Sequence, residues 1–499
     1  MFTRNDSNST RLLAGPKVIA SGSRMSNRIF ANLGFLLQIA GLLTILPIGI
    51  GLYFDETQTV VSVFLACVAF LGCGFLLNAL CERKDLDFKS SNVLFLVAFV
   101  VLPLIGALPY FYSDPFHSAN VLDRFTNGYF ESISGFTTTG FSFIATPEAL
   151  PKSLLVYRSL TELMGGVGIV FLLLAFFQSR KSLGSLGNAV GVDNVNGNLK
   201  KTFFSVFAVY GGYILAFTVI FYFLGFQNLI TTGTFVIDTI TGGFQSSAQQ
   251  FQQYLSLAPK ICIIVLMLLG SLNFAFSYHL FTRKLRKALT SEIALFLVII
   301  ALGTASVSLV ANIGVLDSLF HVVSMSSSTG YYYIPLIPLT SFNSTVISIF
   351  IVLMLIGGCA FSMAGGIRVS RLITFAKSIK ESTKGVLIKE NVIAKPRKQT
   401  DANGSLESLS ASVFIILFIF LLVLFAVIFT TIGVSFTDAL FEVGSALTTN
   451  GISMGATTVS MAIGYKWLMI AAMTVGRVEI LSILIALSSF KRKERASDF

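Results

Sequence analysis

Charged side chains are scarce in this chain, and their scarcity excludes most soluble folds. Only 12% of the 499 residues are Asp, Glu, Lys or Arg, whereas 54% are hydrophobic. A typical water-soluble domain carries about 25% charged residues. The composition therefore favours a protein whose surface faces lipid.

Cysteine and histidine are also few, and their positions show no spacing typical of a metal site. The five cysteines lie scattered in or beside apolar runs, at Cys67, Cys73, Cys81, Cys262 and Cys359. Cysteines in such surroundings pack as small apolar residues. We therefore predict no disulfides, and no cofactor bound by this chain.

Two further absences narrow the function. Residues 1–28 have no apolar core, so we expect no cleavable signal peptide. The chain has neither a glycine-rich phosphate-binding loop nor a convergent set of nucleophile, base and metal ligands. We therefore do not expect an enzyme, and any control by a nucleotide has to come from another chain.

Apolar segments long enough to cross a bilayer fill most of the sequence. Ten are predicted, at residues 29–54, 59–81, 93–112, 153–178, 203–225, 259–281, 293–313, 345–376, 410–432 and 459–489. This pattern predicts an all-α polytopic membrane protein that is embedded in the lipid bilayer.

The basic residues mark one side of the membrane. Of the 35 Lys and Arg residues, 29 fall in the N-terminal tail, the C-terminus and the segments 82–92, 179–202, 282–291 and 368–408. The predicted spans place all these segments on the same side, which the positive-inside rule makes cytoplasmic, together with both termini. The net charge of +11 is then a topological signal, and no nucleic-acid partner is expected.

Four polar runs that contain a glycine interrupt the apolar sequence, at residues 134–141, 240–244, 326–331 and 447–452. Irregular backbone at membrane depth persists only where it is buried in protein or lines a water-filled path. Small hydroxyl residues followed by glycine leave carbonyl oxygens free, and a ring of carbonyls can replace the water around a cation. The four runs together predict an ion filter with four sides.

The topology places all four runs between an outward and an inward span, so the units that carry them are parallel. Parallel units around a central pore differ from the inverted repeats of many secondary transporters. The predicted divisions are a cytoplasmic tail (1–28), a helix pair (29–92), and four pore repeats (93–202, 203–291, 292–408 and 409–499). The third pore repeat includes a gate loop and a cytoplasmic linker.

Internal similarity supports the repeats, because a serine stands six residues before the glycine in three units: Ser134 before Gly140, Ser324 before Gly330 and Ser445 before Gly451. The segments before these glycines are short and amphipathic, as expected of half-helices that enter the membrane from outside. A half-helix that ends at the filter turns the negative end of its dipole towards a cation. The second unit, before Gly243, matches least well.

The sequence resembles the Trk/Ktr/HKT superfamily of potassium uptake proteins, most closely its bacterial TrkH/TrkG subunits. The resemblance covers the chain from about residue 29 and is carried by FESISGFTTTG at 130–140, YRSLTELMGGVG at 157–168, GSLNF at 270–274 and GRVEI at 476–480. The chain departs from the usual family pattern at Met363 and Ala364, and before Gly243.

The resemblance implies potassium as the transported ion. In that family the filter glycine of each loop supports potassium selectivity, and a serine in the first loop is associated with sodium permeation. The implied selectivity filter, with its potassium-binding groups, consists of Thr138, Thr139, Gly140, Thr241, Gly242, Gly243, Ser328, Thr329, Gly330, Thr449, Asn450 and Gly451.

Two further features concern gating. Four glycines within ten residues predict a break inside the span 345–376, because glycine costs a helix about 1 kcal/mol relative to alanine. The resemblance places a gate loop here, with Gly357, Gly358, Ala360, Ser362, Gly365 and Gly366. The alternative is a close helix crossing through small residues.

Arg477 lies inside the last span, where a charged side chain is costly and indicates a function. It either guards the pathway below the filter or holds helices together structurally. Glu479 is two residues away on the predicted helix and faces another direction. A more distant acid or the carbonyls of the gate loop are therefore the expected partners.

The resemblance also implies partners: a homodimer in which each protomer has its own pore, and a cytosolic TrkA-like regulatory ring with nucleotide-binding domains. The basic segments 179–202, 282–291 and 368–408 offer a surface on which such a ring could dock. The predicted location is the bacterial cytoplasmic membrane. The alternative function is a sodium- or proton-coupled cation symporter on the same scaffold.

Overall fold

The chain folds as a bundle of helices. The computed structural model describes residues 21–81, 86, 88–144, 146–176, 199–226, 228–244, 256–281, 289–332, 342–387 and 399–497. Within these ranges the regular elements are α-helices and one 3-10 turn at Pro147–Ala149, without any strand. The predicted all-α class is confirmed. Most of the predicted N-terminal tail and parts of the predicted basic segments lie outside the described residues.

The helices follow the predicted order of a helix pair and four units. The initial pair contains α1 (Ser21–Leu43), α2 (Ile45–Tyr53) and α3 (Thr57–Leu80). The first unit contains α4 (Phe88–Gly106), α5 (Leu108–Ser113), α6 (Val121–Phe136) and α7 (Lys152–Phe176). The second contains α8 (Leu199–Phe223), α9 (Leu229–Thr241), α10 (Leu257–Ser271) and α11 (Phe274–Phe281).

The third and fourth units repeat this order. The third contains α12 (Ser291–Ala311), α13 (Val315–Ser327), α14 (Ser344–Ile356) and α15 (Val369–Leu387). The fourth contains α16 (Gln399–Thr430), α17 (Phe436–Leu447), α18 (Ile463–Val478) and α19 (Ile480–Ser497). In each unit a long outer helix precedes a short helix and an inner helix; we call the short helices α6, α9, α13 and α17 the pore helices.

Several helices are long and apolar enough to cross a membrane. Five qualify singly: Ser26–Tyr53, Thr57–Leu80, Lys89–Ser113, Ser291–Ala311 and Glu407–Thr430. Two bent pairs raise the number to seven if each pair is one span. The shorter apolar helices Phe207–Phe223 and Ser344–Ile356 lie within predicted spans. The chain is therefore an integral membrane protein.

Two predicted spans are broken instead of continuous. The span 259–281 bends by 114° between α10 and α11, and the span 459–489 bends by 90° between α18 and α19. At the first break Asn273 accepts a hydrogen bond from Ala275 N and starts the new helix. At the second, Glu479 has a left-handed φ of 66°. A glycine stands three residues before each of these positions, Gly270 before Asn273 and Gly476 before Glu479.

Three of the four pore helices begin at polar caps. Asn120 accepts a hydrogen bond from Asp123 N at the start of α6, Asn228 caps α9, and Ser435 accepts from Asp438 N at the start of α17. Such caps satisfy amide groups that have no partner within the helix. The later turns of all four pore helices are buried, so each runs from a partly exposed end into the protein interior.

Three hydrophobic clusters hold the bundle together. One joins the second and third units, another joins the first and fourth, and the third packs α1 and α3 against α4 and α19. Because two clusters each join two units, the four units enclose a common centre. The loops that follow the pore helices lie at that centre.

Replacing Phe221 by alanine should destabilise the protein by about 3 kcal/mol, because large-to-small changes in a packed core leave a cavity. Its ring is fully buried and lies 5.3 Å from the ring of Phe226 and 5.7 Å from that of Phe235. Phe223, on the same helix, is 81% exposed and provides the control. Thermal unfolding in detergent measures both variants, and equal loss in the two would contradict this packing.

Candidate ion-selectivity filter and gate

The four predicted filter glycines share one backbone conformation. Gly140, Gly243, Gly330 and Gly451 have φ values of 82°, 76°, 70° and 79°. This left-handed region is strained for residues that carry a Cβ atom. The local backbone geometry therefore favours glycine at these four positions.

The four loops contact one another in chain order and close into a ring. A Cβ atom built on any of the four glycines would overlap the carbonyl oxygen of the residue before the glycine of the next loop. The overlapping pairs are Gly140 with Gly242, Gly243 with Thr329, Gly330 with Asn450, and Gly451 with Thr139. The last pair joins the fourth loop to the first, which completes the ring.

All twelve predicted filter residues lie in this ring, and three of the loops have the same turn. Thr138, Ser328 and Thr449 stand two residues before their glycines and have left-handed φ values of 53°, 60° and 52°. In the second loop Thr241 still belongs to the helix, and Gly242 ends it with a φ of −170°. The second loop therefore reaches the ring by a different turn, as its poorer sequence match suggested.

Side chains also link adjacent units. Thr329 Oγ1 donates to Thr239 O of the second unit at 3.2 Å. Asn450 Nδ2 donates to Met325 O of the third unit at 2.8 Å. These residues occupy equivalent places, one before the glycine, so a polar side chain there holds the loop against the preceding pore helix.

The ring lies at the C-terminal ends of the four pore helices. The last helical residues are Phe136, Thr241, Ser327 and Leu447, each within four residues of a filter glycine. Carbonyl groups at a helix C-terminus carry a partial negative charge. The electrostatic surroundings of the ring therefore favour a cation.

Two buried glutamates support the chain just beyond the filter. Glu131 and Glu442 both stand nine residues before their glycines, on α6 and α17. Glu131 accepts hydrogen bonds from Ser142 Oγ at 2.8 Å and Phe143 N at 3.2 Å. Glu442 accepts from Ser453 Oγ at 2.7 Å and Met454 N at 2.8 Å. In both units the carboxylate holds the second and third residues after the glycine.

Arg158 forms a buried ion pair. Its Nη2 atom lies 2.9 Å from Glu131 Oε1, and both side chains are almost fully buried. The guanidinium also lies over the ring of Phe244, 4.2 Å from its centroid. Arg158 thus connects the first filter loop to the residue that follows Gly243 in the second.

The second loop has a carboxylate partner on another unit. Glu162 of α7 accepts hydrogen bonds from Phe244 N at 3.2 Å and from Thr241 Oγ1 at 3.1 Å. No role of Glu162 is predicted from the sequence. A glutamate one helical turn from Arg158, inside an apolar span, was the only sign in the sequence that this residue has a role. Its partners could not be inferred, because they lie 79 and 82 residues away.

Glycines on three inner helices let these helices approach the pore helices closely. A Cβ atom on Gly165, Gly270 or Gly476 would overlap the carbonyl oxygen of Phe136, Ile240 or Leu447, respectively. These oxygens belong to the last turns of the pore helices α6, α9 and α17. The three glycines belong to the motifs that carry the family resemblance, so those motifs have a shared packing role.

The predicted helix break is present. Residues 357–368 between α14 and α15 are irregular, and they include all six predicted gate positions: Gly357, Gly358, Ala360, Ser362, Gly365 and Gly366. We call residues 357–368 the gate segment. Gly357 and Gly366 have φ values of 67° and 83°, so they suit the turns that take the chain out of and back into a helix.

The gate segment bonds to the broken inner helix of the second unit. Cys359 N donates to Ser271 O at 3.0 Å, Met363 N donates to Gly270 O at 3.1 Å, and Phe274 N donates to Phe361 O at 3.1 Å. The break between α10 and α11 frees these backbone groups for the gate segment. Each irregular segment therefore provides hydrogen-bond partners for backbone groups of the other, which is required where no water is available.

The gate segment also contacts the filter. Gly365 N donates to Ser328 Oγ at 3.0 Å. A Cβ atom on Gly365 would overlap Thr448 O and lie 2.5 Å from Thr449 Oγ1. The segment thus lies directly against the third and fourth filter loops.

Arg477 donates hydrogen bonds to carbonyl oxygens, and it forms no ion pair within the part of the chain that the structure describes. Its Nη1 donates to Met363 O of the gate segment at 3.0 Å, and its Nη2 donates to Gly165 O of α7 at 3.0 Å. The residue is 4% exposed and lies in the last turn of α18. The sequence led us to expect either a distant acid or the carbonyls of the gate loop as partners, and the hydrogen bond at Met363 O is of the second kind.

Glu479 instead pairs with arginines near the end of the gate segment. Its Oε1 lies 3.0 Å from Arg368 Nη1, and its Oε2 accepts from Arg371 Nη2. Glu292, at the start of α12, accepts from Ala360 N at 2.6 Å. Both acidic residues hold the segment from outside the ring, and sequence analysis assigned neither of them a role there.

Comparison with known proteins shows which proteins the chain is similar to. A family described as TrkH, cation transport protein, matches residues 287–496. An uncharacterized cation transporter of Methanocaldococcus jannaschii is 28% identical over 463 residues, which cover 91% of this chain and 93% of that protein. The Trk system potassium uptake protein TrkG of Escherichia coli is 25% identical over 485 residues, covering 92% and 96%.

A solved structure shares the fold. The crystal structure of the potassium transporter TrkH from Vibrio parahaemolyticus superposes with a TM-score of 0.75 at 20% identity, over 93% of this chain and 98% of that one. The resemblance inferred from the sequence motifs is confirmed by these matches, as is the fold class.

Proposed function

We propose that this chain belongs to the TrkH family of cation transport proteins and carries potassium ions into the cell through the ring of four filter loops. The closed ring is the observation that supports this proposal most strongly. The Trk system potassium uptake proteins among its relatives, such as TrkH of Halomonas elongata at 26% identity over 495 residues, support potassium as the ion.

The proposed filter consists of the twelve ring residues. Carbonyl oxygens of the loops replace the water around potassium, and the C-terminal ends of the four pore helices stabilise its charge. Selectivity requires that these oxygens keep their places. The contacts of Gly140, Gly243, Gly330 and Gly451 with neighbouring carbonyls leave the loops little freedom to move.

The proposed gate is the gate segment together with Arg477. Gly365 lies against Thr448 and Thr449 of the filter, so the segment obstructs the path on the inner side of the ring. Arg477 fixes this position through Met363 O and adds a positive charge near the path. Opening then requires the segment to leave its partners on α10 and α18.

The proposed setting is the bacterial cytoplasmic membrane, with both termini inside and the repeats divided as the sequence predicts. The membrane potential drives ions inward with about 2.3 kcal/mol per charge per 100 mV. We propose a homodimer with one pore in each protomer. A cytosolic TrkA-like, nucleotide-binding ring would dock on the basic segments 179–202, 282–291 and 368–408 and control the gate.

Ion flux into proteoliposomes with a negative interior tests the function. We expect rubidium, which resembles potassium, to enter, and potassium but not sodium to compete with it. Liposomes without protein are the control. Sodium entry equal to rubidium entry would contradict the proposed selectivity. Uptake that depends on a sodium or proton gradient would favour a coupled symporter instead.

Gly140→Ser should weaken the discrimination against sodium. A Cβ atom at this position overlaps Gly242 O, so the oxygen has to move and the ring loses its geometry. Gly464→Ser is a matched control, because nothing lies within 4 Å of a Cβ atom there. The ratio of rubidium to sodium flux is the measurement, and an unchanged ratio in Gly140→Ser would remove this residue from the filter.

Arg477→Ala should raise the basal rubidium flux, because the gate segment loses the hydrogen bond at Met363 O. Arg477→Lys keeps the charge but cannot span both carbonyls, so an intermediate flux is expected. Thermal unfolding is measured in parallel. Loss of folded protein without any increase in flux per folded molecule would support a purely structural role.

A further inference from the structure

Glu162 is buried beside the second filter loop and bonds to it at two points. Its side chain has no exposure. Its Oε1 accepts from Phe244 N at 3.2 Å, and its Oε2 accepts from Thr241 Oγ1 at 3.1 Å. Phe244 directly follows the filter glycine Gly243. The carboxylate therefore acts on a peptide group of the filter itself.

The orientation of this peptide group follows from its planarity. In a trans peptide the N–H of one residue and the C=O of the residue before it point in opposite directions. Because the Phe244 N–H points to Glu162, the Gly243 carbonyl points away from Glu162. Gly243 O lies 3.1 Å from the place of a Cβ atom on Gly140, so this oxygen lies beside the first filter loop.

The first and fourth filter loops are supported further from their glycines. Glu131 and Glu442 accept from the amides of Phe143 and Met454, three residues after the glycine. The second pore helix has Thr234 at the position of these glutamates, and its hydroxyl donates to Thr231 O within the same helix. Glu162, from the preceding unit, supplies the carboxylate that the second pore helix lacks at that position.

The helix α7 holds Phe244 in two ways. Arg158 lies over the Phe244 ring at 4.2 Å, and Glu162, one turn later on the same helix, holds its amide. Arg158 is itself anchored by Glu131 at 2.9 Å. The first unit therefore fixes both the side chain and the backbone of the residue next to Gly243.

We infer that Glu162 is a positioning residue that determines ion specificity. It keeps the Gly243 carbonyl directed into the ring, and this role rests on the proposed filter function. Without the acceptor, the peptide between Gly243 and Phe244 can rotate. Rotation replaces a carbonyl oxygen at the ring by an N–H group, which repels a cation and removes a ligand that potassium needs.

Two conservative substitutions separate this role from a simple effect of charge. Glu162→Gln removes the charge but keeps an oxygen that can accept from Phe244 N. Its amide can donate to Thr241 Oγ1, which then donates to Ile237 O, already 2.7 Å away. Glu162→Asp keeps the charge but draws the carboxylate back by one methylene, out of hydrogen-bond range.

The preference for potassium over sodium is measured as stabilisation of the purified protein in detergent. An ion that binds the folded state raises the free energy of unfolding by RT ln(1 + c/Kd) at ion concentration c, so the rise of the unfolding temperature with ion concentration gives its dissociation constant. The ratio of the sodium and potassium dissociation constants is the readout. It does not require the gate to open, and a change in overall stability does not alter it. Glu407→Gln, an exposed position on α16, is the control.

Glu162→Asp should lower the preference for potassium about tenfold, equivalent to about 1.4 kcal/mol. Glu162→Gln and Glu407→Gln should keep it. An unchanged ratio in Glu162→Asp, or an equal loss in Glu162→Gln, overturns the inference. Wild-type protein without any preference for potassium would overturn the proposed filter function as well, and this result is distinct from the first two.

Discussion

The contact between each filter glycine and a carbonyl oxygen of the next loop is the constraint on which the rest of this structure depends. Four such contacts join the loops in chain order, and each lacks room for a Cβ atom. A shift of one loop must therefore move its neighbour. The pore helices, the buried glutamates Glu131 and Glu442, and the cross-unit bonds of Thr329 and Asn450 all keep these contacts in place.

A second requirement is that irregular backbone inside a membrane protein must find partners. The gate segment and the break between α10 and α11 meet this requirement together, since Cys359, Met363 and Phe274 donate or accept across the two. Arg477 satisfies two more carbonyls. The same bonds that stabilise the segment must break for it to move, so a regulatory partner has a defined set of contacts to overcome.

Much of this arrangement could be predicted from the sequence because it is local. The hydroxyl-rich runs before Gly140, Gly330 and Gly451 repeat, and the glycines at 357–366 predict the helix break. The parts that could not be predicted join residues far apart in the chain. Glu162 meets Phe244 only through packing of two units, and Glu479 meets Arg371, which is 108 residues away, in the same manner. The second loop was the weakest match because its support comes from the first unit.

Anomalous diffraction from crystals grown in rubidium tests the central claim most directly, because it locates the ion without requiring an open gate. The account predicts a rubidium peak at the centre of the ring formed by Gly140, Gly243, Gly330 and Gly451, which potassium lowers and sodium does not. A ring without rubidium, with the ion bound elsewhere in the protein, would contradict the account.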